Sequence, residues 1–215
     1  MINKLGYSII AGDLLRIEDT IKDISFVDFI HVDIMDGNFV KNLTIGPQYV
    51  KDLKDKIPDR YLDCHLMVTD PDTYIDRLSF VDRITVHIEN VNVEASIRKI
   101  KENDIDAGLA ISPDTPISCM DRYMHLLRKN DIVQIMTVQP GRCGQTFIGS
   151  QLEKIKYIRR KHPNTIIQVD GGINASNVSL CVDSGANNFI CGSSMMTDGQ
   201  KINCLLKTIH NSASW

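Results

Sequence analysis

The chain has 215 residues, 43% of them apolar, with a formal net charge of −3; that length supports one buried core, and no apolar run approaches the ~18 residues of a membrane span. The near-neutral balance, with no basic stripe, gives no footprint for a nucleic-acid partner. Cysteines at 64, 119, 143, 181, 191 and 204 form no C-x-x-C pair, which argues against a zinc ribbon or disulfide framework and for reduced thiols that mostly fill core.

The opening Met1-Ile2-Asn3-Lys4-Leu5-Gly6 lacks the apolar region of a secretory signal, so a cytoplasmic protein without a membrane partner is expected. A first strand is predicted near Tyr7–Ile10 and a helix over Leu14–Ile24. The apolar run that begins at Phe26 predicts a second strand over Phe29–Ile34. Side chains alternate along a strand, so His31, Asp33 and Met35 share a face, and Asp36-Gly37 then breaks the strand in a turn that Asp36 orders. A third strand, Tyr61–Val68, carries His65 and Met67 on one face, and a fourth, Arg83–Ile88, carries His87. A helix follows over Val93–Glu102, then strands at Ala107–Ile111 and Ile132–Val138, the latter bearing Met136. Beyond a helix at Ser150–Lys161, strand seven (Thr165–Val169) runs into Asp170-Gly171-Gly172. A helix over Ala175–Asp183 and strand eight, Asn188–Cys191, complete the alternation, with Gly192-Ser193-Ser194 following.

Strands joined through helices run parallel, and eight such units predict an α/β fold, a (β/α)8 TIM barrel, with residues 1–215 as a single domain. In such a barrel the chemistry gathers at the C-terminal strand ends. His31, Asp33, His65, His87, Met136 and Asp170 all fall at or near those ends, giving imidazoles and carboxylates at one mouth. Phosphate in barrels is commonly held by backbone N–H groups after strands seven and eight. Gly171-Gly172 and Gly192-Ser193 occupy those positions, and the loop Gly141 to Gln145, with Gly144, follows strand six and can add donors or fold over a substrate. Arg142 in that loop is left without an assigned role. His87 has no evident partner, and His125, His162 and His210 read as surface residues.

The chain resembles the ribulose-phosphate 3-epimerases over nearly its whole length. The resemblance rests on Ser8-Ile9-Ile10; on the run from His31 through Asp33, Met35-Asp36-Gly37, Phe39, Asn42 and Thr44 to Gly46-Pro47; on Asp63-Cys64-His65-Leu66-Met67-Val68; on Met136 with Pro140-Gly141 and Gly144-Gln145; and on Val169 to Ile173. It implies one divalent metal ion on His31, Asp33, His65 and Asp170, with Asp33 and Asp170 as acid and base and Met35, Met67 and Met136 walling the reaction centre. Ser8, His65, Gly141, Gly144, Gly171, Gly172, Gly192 and Ser193 join the methionines as expected substrate contacts. The implied reaction moves a proton at the carbon beside a ketone: one carboxylate removes it from one face, the other returns one to the opposite face, and Lewis acidity stabilises the enediolate between. Two nitrogens and two oxygens suit zinc, iron(II), cobalt or manganese about equally.

The implied activity is interconversion of D-ribulose 5-phosphate and D-xylulose 5-phosphate in pentose phosphate metabolism, by an isomerase that is expected to be a homo-oligomer. Allulose-6-phosphate 3-epimerase is the alternative on the same site, and a non-catalytic metal-binding barrel is more remote. Hexulose-phosphate synthase relatives use an Asp-x-Lys arrangement where this chain has Asp33-Ile34-Met35, without lysine. The chain departs from the epimerase pattern at Ala11, where a serine is usual, at Lys41, where a proline is usual, and at Arg142-Cys143, where Phe-Gly is usual.

Overall fold

All eight predicted strands are present in the computed structural model, which describes residues 2–195 and 205–209. They are β1 (Lys4–Ser8), β2 (Phe29–Met35), β3 (Leu62–Met67), β4 (Arg83–His87), β5 (Asp106–Ile111), β6 (Ile132–Met136), β7 (Ile166–Asp170) and β8 (Asn188–Cys191). Each pairs in parallel with the next and β8 pairs with β1, so the sheet closes into a (β/α)8 barrel. Around it lie α1 (Ile17–Asp23), α2 (Pro47–Lys56), α3 (Asp72–Ile75), α4 (Val93–Glu102), α5 (Leu152–Lys161) and α6 (Val178–Ser184). No described helix is long and apolar enough to cross a membrane.

The differences from expectation sit at element ends. The first strand lies earlier than its apolar residues suggest: Lys4 to Tyr7 pair with β8, while Ile9–Ala11 forms a 3-10 turn. Gly6 belongs to that strand because the Phe29 ring occupies the space of a side chain there, 2.2 Å from where a Cβ would stand. The first helix opens as a 3-10 turn, Leu14–Arg16, whose Leu15 amide donates to the Asp13 carboxylate, and only then becomes α1. The helix expected over Ala175–Asp183 starts at Val178, because Asn174 and Asn177 accept the backbone N–H groups of Ser176 and Asn174 and form a turn first. After β5 a 3-10 stretch, Ile117–Arg122, stands in place of an α-helix.

The barrel has two different faces. Outward residues such as Val32, Ile34, Leu66, Val86, Leu109, Ile135 and Val169 are buried with helix residues such as Val50, Ile97, Ile100, Ile155, Ile158 and Val182, forming the main apolar core. The inward face is polar: Asp63 on β3 bonds Gln168 on β7 at 2.8 Å, a contact that only the interior of a closed barrel permits. Five of the cysteines are described, all free; Cys64, Cys181 and Cys191 are buried, whereas Cys119 and Cys143 are exposed and so are not core filler. Cys204 and His210 lie outside the described residues.

Candidate active site

Strand alternation and register bring the predicted polar residues to one place. β2 places His31 and Asp33 inward, β3 pairs Asp33 with His65, and β7 ends on Asp170. One ligand atom from each of these four lies within 4.8 Å of all the others, and all four residues are buried. The converging atoms are His31 Nε2, 3.2 Å from Asp33 Oδ1 and 3.6 Å from Asp170 Oδ2, and His65 Nδ1, 3.0 Å and 3.5 Å from the same two oxygens. The remaining atoms of these side chains are held from outside: Ser8 Oγ donates to Asp33 Oδ2 at 2.9 Å, and His31 Nδ1 bonds Asp63 Oδ2 at 3.0 Å. Two nitrogens and two oxygens, with Asp33 and His31 held from their other sides, are a donor set that fits a borderline divalent cation.

Several residues of this cluster have no role in the sequence reading. Asp63 accepts from His31 and Gln168 and lies 3.9 Å from Arg83, so it orients His31. Gln134 donates to Asp170 Oδ2 at 2.9 Å and accepts from Gln168 at 2.9 Å. His87, whose partner is not evident in the sequence, bonds His65 Nε2 through its own Nε2 at 2.8 Å and Glu89 through Nδ1 at 2.9 Å. The signal for the first three was the period of two: Asp63, Gln134 and Gln168 each stand two residues before a predicted mouth residue and share its face. Which partner each meets depends on strand register, which periodicity does not carry.

The network sets the charges. Burial alone would raise the Asp33 carboxyl, but His31 and then His65 outweigh it and hold it far below the ordinary carboxylate range. Asp170 is lowered by the same imidazoles against burial. Burial works to lower His31, yet Asp33, Asp170 and Asp63 raise it well above its usual value, and His65 is raised against burial by Asp170 and Asp33. His87 is lowered, by burial first and by His65, although Glu89 pulls the other way. Such ionised groups persist in a buried barrel because each has an opposite charge or a hydrogen bond.

Above the cluster opens a cavity of about 370 Å³. Asp33 and Asp170 reach it at its floor, and Ser8, Met35, Met67, Met136, Gly141, Gly144, Gly171, Gly172, Gly192 and Ser193 all line it; His31 and His65 lie fully buried beneath. Gly171 and Gly172 take positive φ of 114° and 68°, a backbone that L side chains resist. Ser194 Oγ donates to the Ile173 carbonyl, tying the loops after β7 and β8 together. The loop after β6 is held to the loop after β2, where Asn42 donates to the Gly141 carbonyl at 2.9 Å. Arg142 and Cys143 line the mouth and are exposed. Asp36 orders its turn as expected, accepting from the Asn38, Phe39 and Thr69 amides at 2.8 Å. His125 is exposed as expected, but His162 is only half-exposed and its Nε2 is buried without a hydrogen-bond partner.

Comparison with known proteins agrees with this arrangement. The ribulose-phosphate 3 epimerase family profile matches residues 4–196. The cytoplasmic isoform of ribulose-phosphate 3-epimerase from Oryza sativa subsp. japonica is 37% identical over 192 residues, spanning 86% of this chain and 84% of that protein. Ribulose-phosphate 3-epimerase from Bacillus subtilis (strain 168) is 37% identical over 202 residues, covering 89% of this chain and 91% of its own. Among solved structures, 3-hexulose-6-phosphate synthase from Salmonella typhimurium superposes with a TM-score of 0.72 at 15% identity, covering 96% of this chain and 98% of that one, a likeness of fold alone. The chain belongs to the ribulose-phosphate 3-epimerase family.

Proposed function

We propose that this barrel is a metal-dependent ketose-phosphate 3-epimerase that interconverts D-ribulose 5-phosphate and D-xylulose 5-phosphate. The observation that carries the reading is the pair Asp33 and Asp170, from β2 and β7, which share one cluster with His31 and His65 at the floor of the cavity. A single divalent ion, zinc, iron(II), cobalt or manganese, held by those four residues would supply Lewis acidity at the substrate's ketone and make the neighbouring C–H more acidic.

The chain's own groups handle the proton. Asp33 turns Oδ1 toward the imidazoles and Oδ2 toward Ser8, so Oδ2 is the atom at which a proton is taken up or released, with the Ser8 hydroxyl steadying it. Asp170 turns Oδ2 toward the imidazoles and Gln134, which leaves Oδ1. One aspartate removes the C3 proton from one face while the other delivers a proton to the opposite face, and the roles exchange in the reverse direction; general acid–base steps of this kind contribute about 10²–10⁴-fold each. Met35, Met67 and Met136 offer an apolar wall without donors that would compete for that proton. The phosphate is assigned to backbone N–H groups at Gly171, Gly172, Gly192 and Ser193, with Gly141 and Gly144 closing over the substrate.

The same reading takes residues 1–215 as one domain acting as a cytoplasmic homo-oligomer without membrane or nucleic-acid partners, which sedimentation of the purified protein tests. Side-by-side assays of ion-loaded protein on D-ribulose 5-phosphate and D-allulose 6-phosphate test the substrate: faster turnover of the pentulose supports the assignment, and preference for the hexulose replaces it. Turnover of neither, with the ion bound, makes the barrel a metal-binding protein without this activity.

A further inference from the structure

We propose that Glu89, acting through His87, is a positioning residue that fixes the tautomer and orientation of His65 so that Nδ1 is left free for a divalent cation. The inference rests on the ion site read above and extends it to residues that touch neither ion nor substrate.

The argument is one of proton placement. His65 Nε2 and His87 Nε2 lie 2.8 Å apart, and two ring nitrogens at that distance share one proton: one donates and the other accepts. If a neutral His65 donates at Nε2, its Nδ1 lone pair lies on the side of Asp33 and Asp170, where the cation would sit between them; without the ion, Nδ1 keeps a proton for Asp33 Oδ1 at 3.0 Å. His87 then accepts at Nε2 and carries its own proton on Nδ1, where Glu89 Oε2 waits at 2.9 Å to receive it. If instead neutral His87 donates at Nε2, its Nδ1 lone pair faces the Glu89 carboxylate at 2.9 Å, with only the longer 3.3 Å contact of the Ser112 hydroxyl to donate there, and the neutral His65 must carry its proton on Nδ1, in the place of the ion. A carboxylate at position 89 therefore selects the first arrangement.

Glu89 is itself held to this task. Its other oxygen, Oε1, accepts the Ser112 amide at 2.9 Å. The loop carrying Ser112 is pinned by Lys154, whose ammonium donates to the carbonyls of Ser112, Pro113 and Thr115, each at 2.8 Å. The Phe39 ring packs on the His87 ring with centroids 4.8 Å apart. Burial works to raise the Glu89 carboxyl, but His87, Thr115 and the Ser112 amide together hold it down at about 2, so it is an acceptor across the physiological range.

Glu89→Gln gives the sharp test. The Ser112 amide claims the new side chain's oxygen, so its NH2 group faces His87 Nδ1 and favours the opposite tautomer. Zinc affinity, measured by competition with a chelator, should fall by about 10–100-fold, and Glu89→Asp, which keeps the acceptor, should lose less. Unchanged zinc affinity in Glu89→Gln, or equal losses in both variants, overturns the proposal. A measurement that needs no variant stands beside it: nitrogen-15 NMR of zinc-loaded wild type should show His87 protonated on Nδ1 and bare on Nε2, and the reverse also overturns it. If wild type binds no zinc, it is the ion site that fails; if wild type binds and Glu89→Gln binds as well, only the relay fails.

Discussion

Asp170→Asn separates proton transfer from ion binding. Asp170 Oδ2 receives a bond from Gln134 Nε2 at 2.9 Å and lies about as close to His31 and His65 as an ion-sharing oxygen must. In the variant the amide oxygen keeps that place, because an amide nitrogen there would confront the NH2 group of Gln134. The new NH2 therefore replaces Oδ1, the oxygen assigned to the proton. A neutral carbonyl in place of a carboxylate should weaken the ion by about 10–100-fold, which added zinc restores. The proton carrier is not restored, and kcat should fall by about 10²–10⁴-fold, roughly 3–5 kcal/mol of barrier. The phosphate loops are untouched, so KM should move less than about threefold. The assay is kcat at matched zinc content per chain, with C3–H exchange from deuterated water followed separately for each epimer: exchange should persist for the epimer whose proton faces Asp33 and vanish for the other. A kcat within about threefold of wild type at matched zinc would falsify the two-carboxylate assignment.

The phosphate assignment predicts that exchanging a methyl between Ala11 and Gly192 matters. A Cβ on Gly192 would stand 2.7 Å from the Ala11 Cβ, so Gly192→Ala needs Ala11→Gly beside it; the double variant should raise KM by about tenfold with zinc affinity and Tm unchanged, and an unchanged KM moves the phosphate elsewhere. The raised histidines predict pH effects of opposite sign with and without ion. In ion-free protein His31 and His65 hold protons more tightly than in the unfolded chain, so their stabilisation is complete below about pH 6.5 and is lost as pH rises through their folded values. Ion binding must expel those protons, so zinc affinity should climb over the same window with about one to two protons released per ion. Calorimetry in buffers of different ionisation enthalpy reads that number, and zero release contradicts the protonation pattern.

Much of this site is legible in the sequence because strand periodicity is local. His31, Asp33 and Met35 share a face for the same reason that Phe29 to Met35 form a strand, and eight repeats of strand and helix leave a closed barrel as the economical arrangement. What local pattern cannot supply is who stands opposite whom. Asp63 reads as one acid among many until β2–β3 register sets it beside His31 and barrel closure sets it against Gln168. His87 and Glu89 are two residues apart, but their meaning comes from His65 on the neighbouring strand. The displaced first strand has a related cause: Lys4 and Gly6 carry little strand signal, and their places are set by pairing with Asn188 and Phe29.

The central claim is that Asp33 and Asp170 invert C3 of a ketose phosphate at an ion site built from their own barrel strands. The most direct measurement is turnover of D-ribulose 5-phosphate in deuterated water by protein carrying one divalent ion per chain, before and after the ion is stripped by a chelator and restored. The account predicts D-xylulose 5-phosphate labelled with solvent deuterium at C3, loss of turnover with the ion and its return on reloading. Product that retains the substrate's own C3 hydrogen throughout, or no turnover from a fully loaded protein, would contradict it.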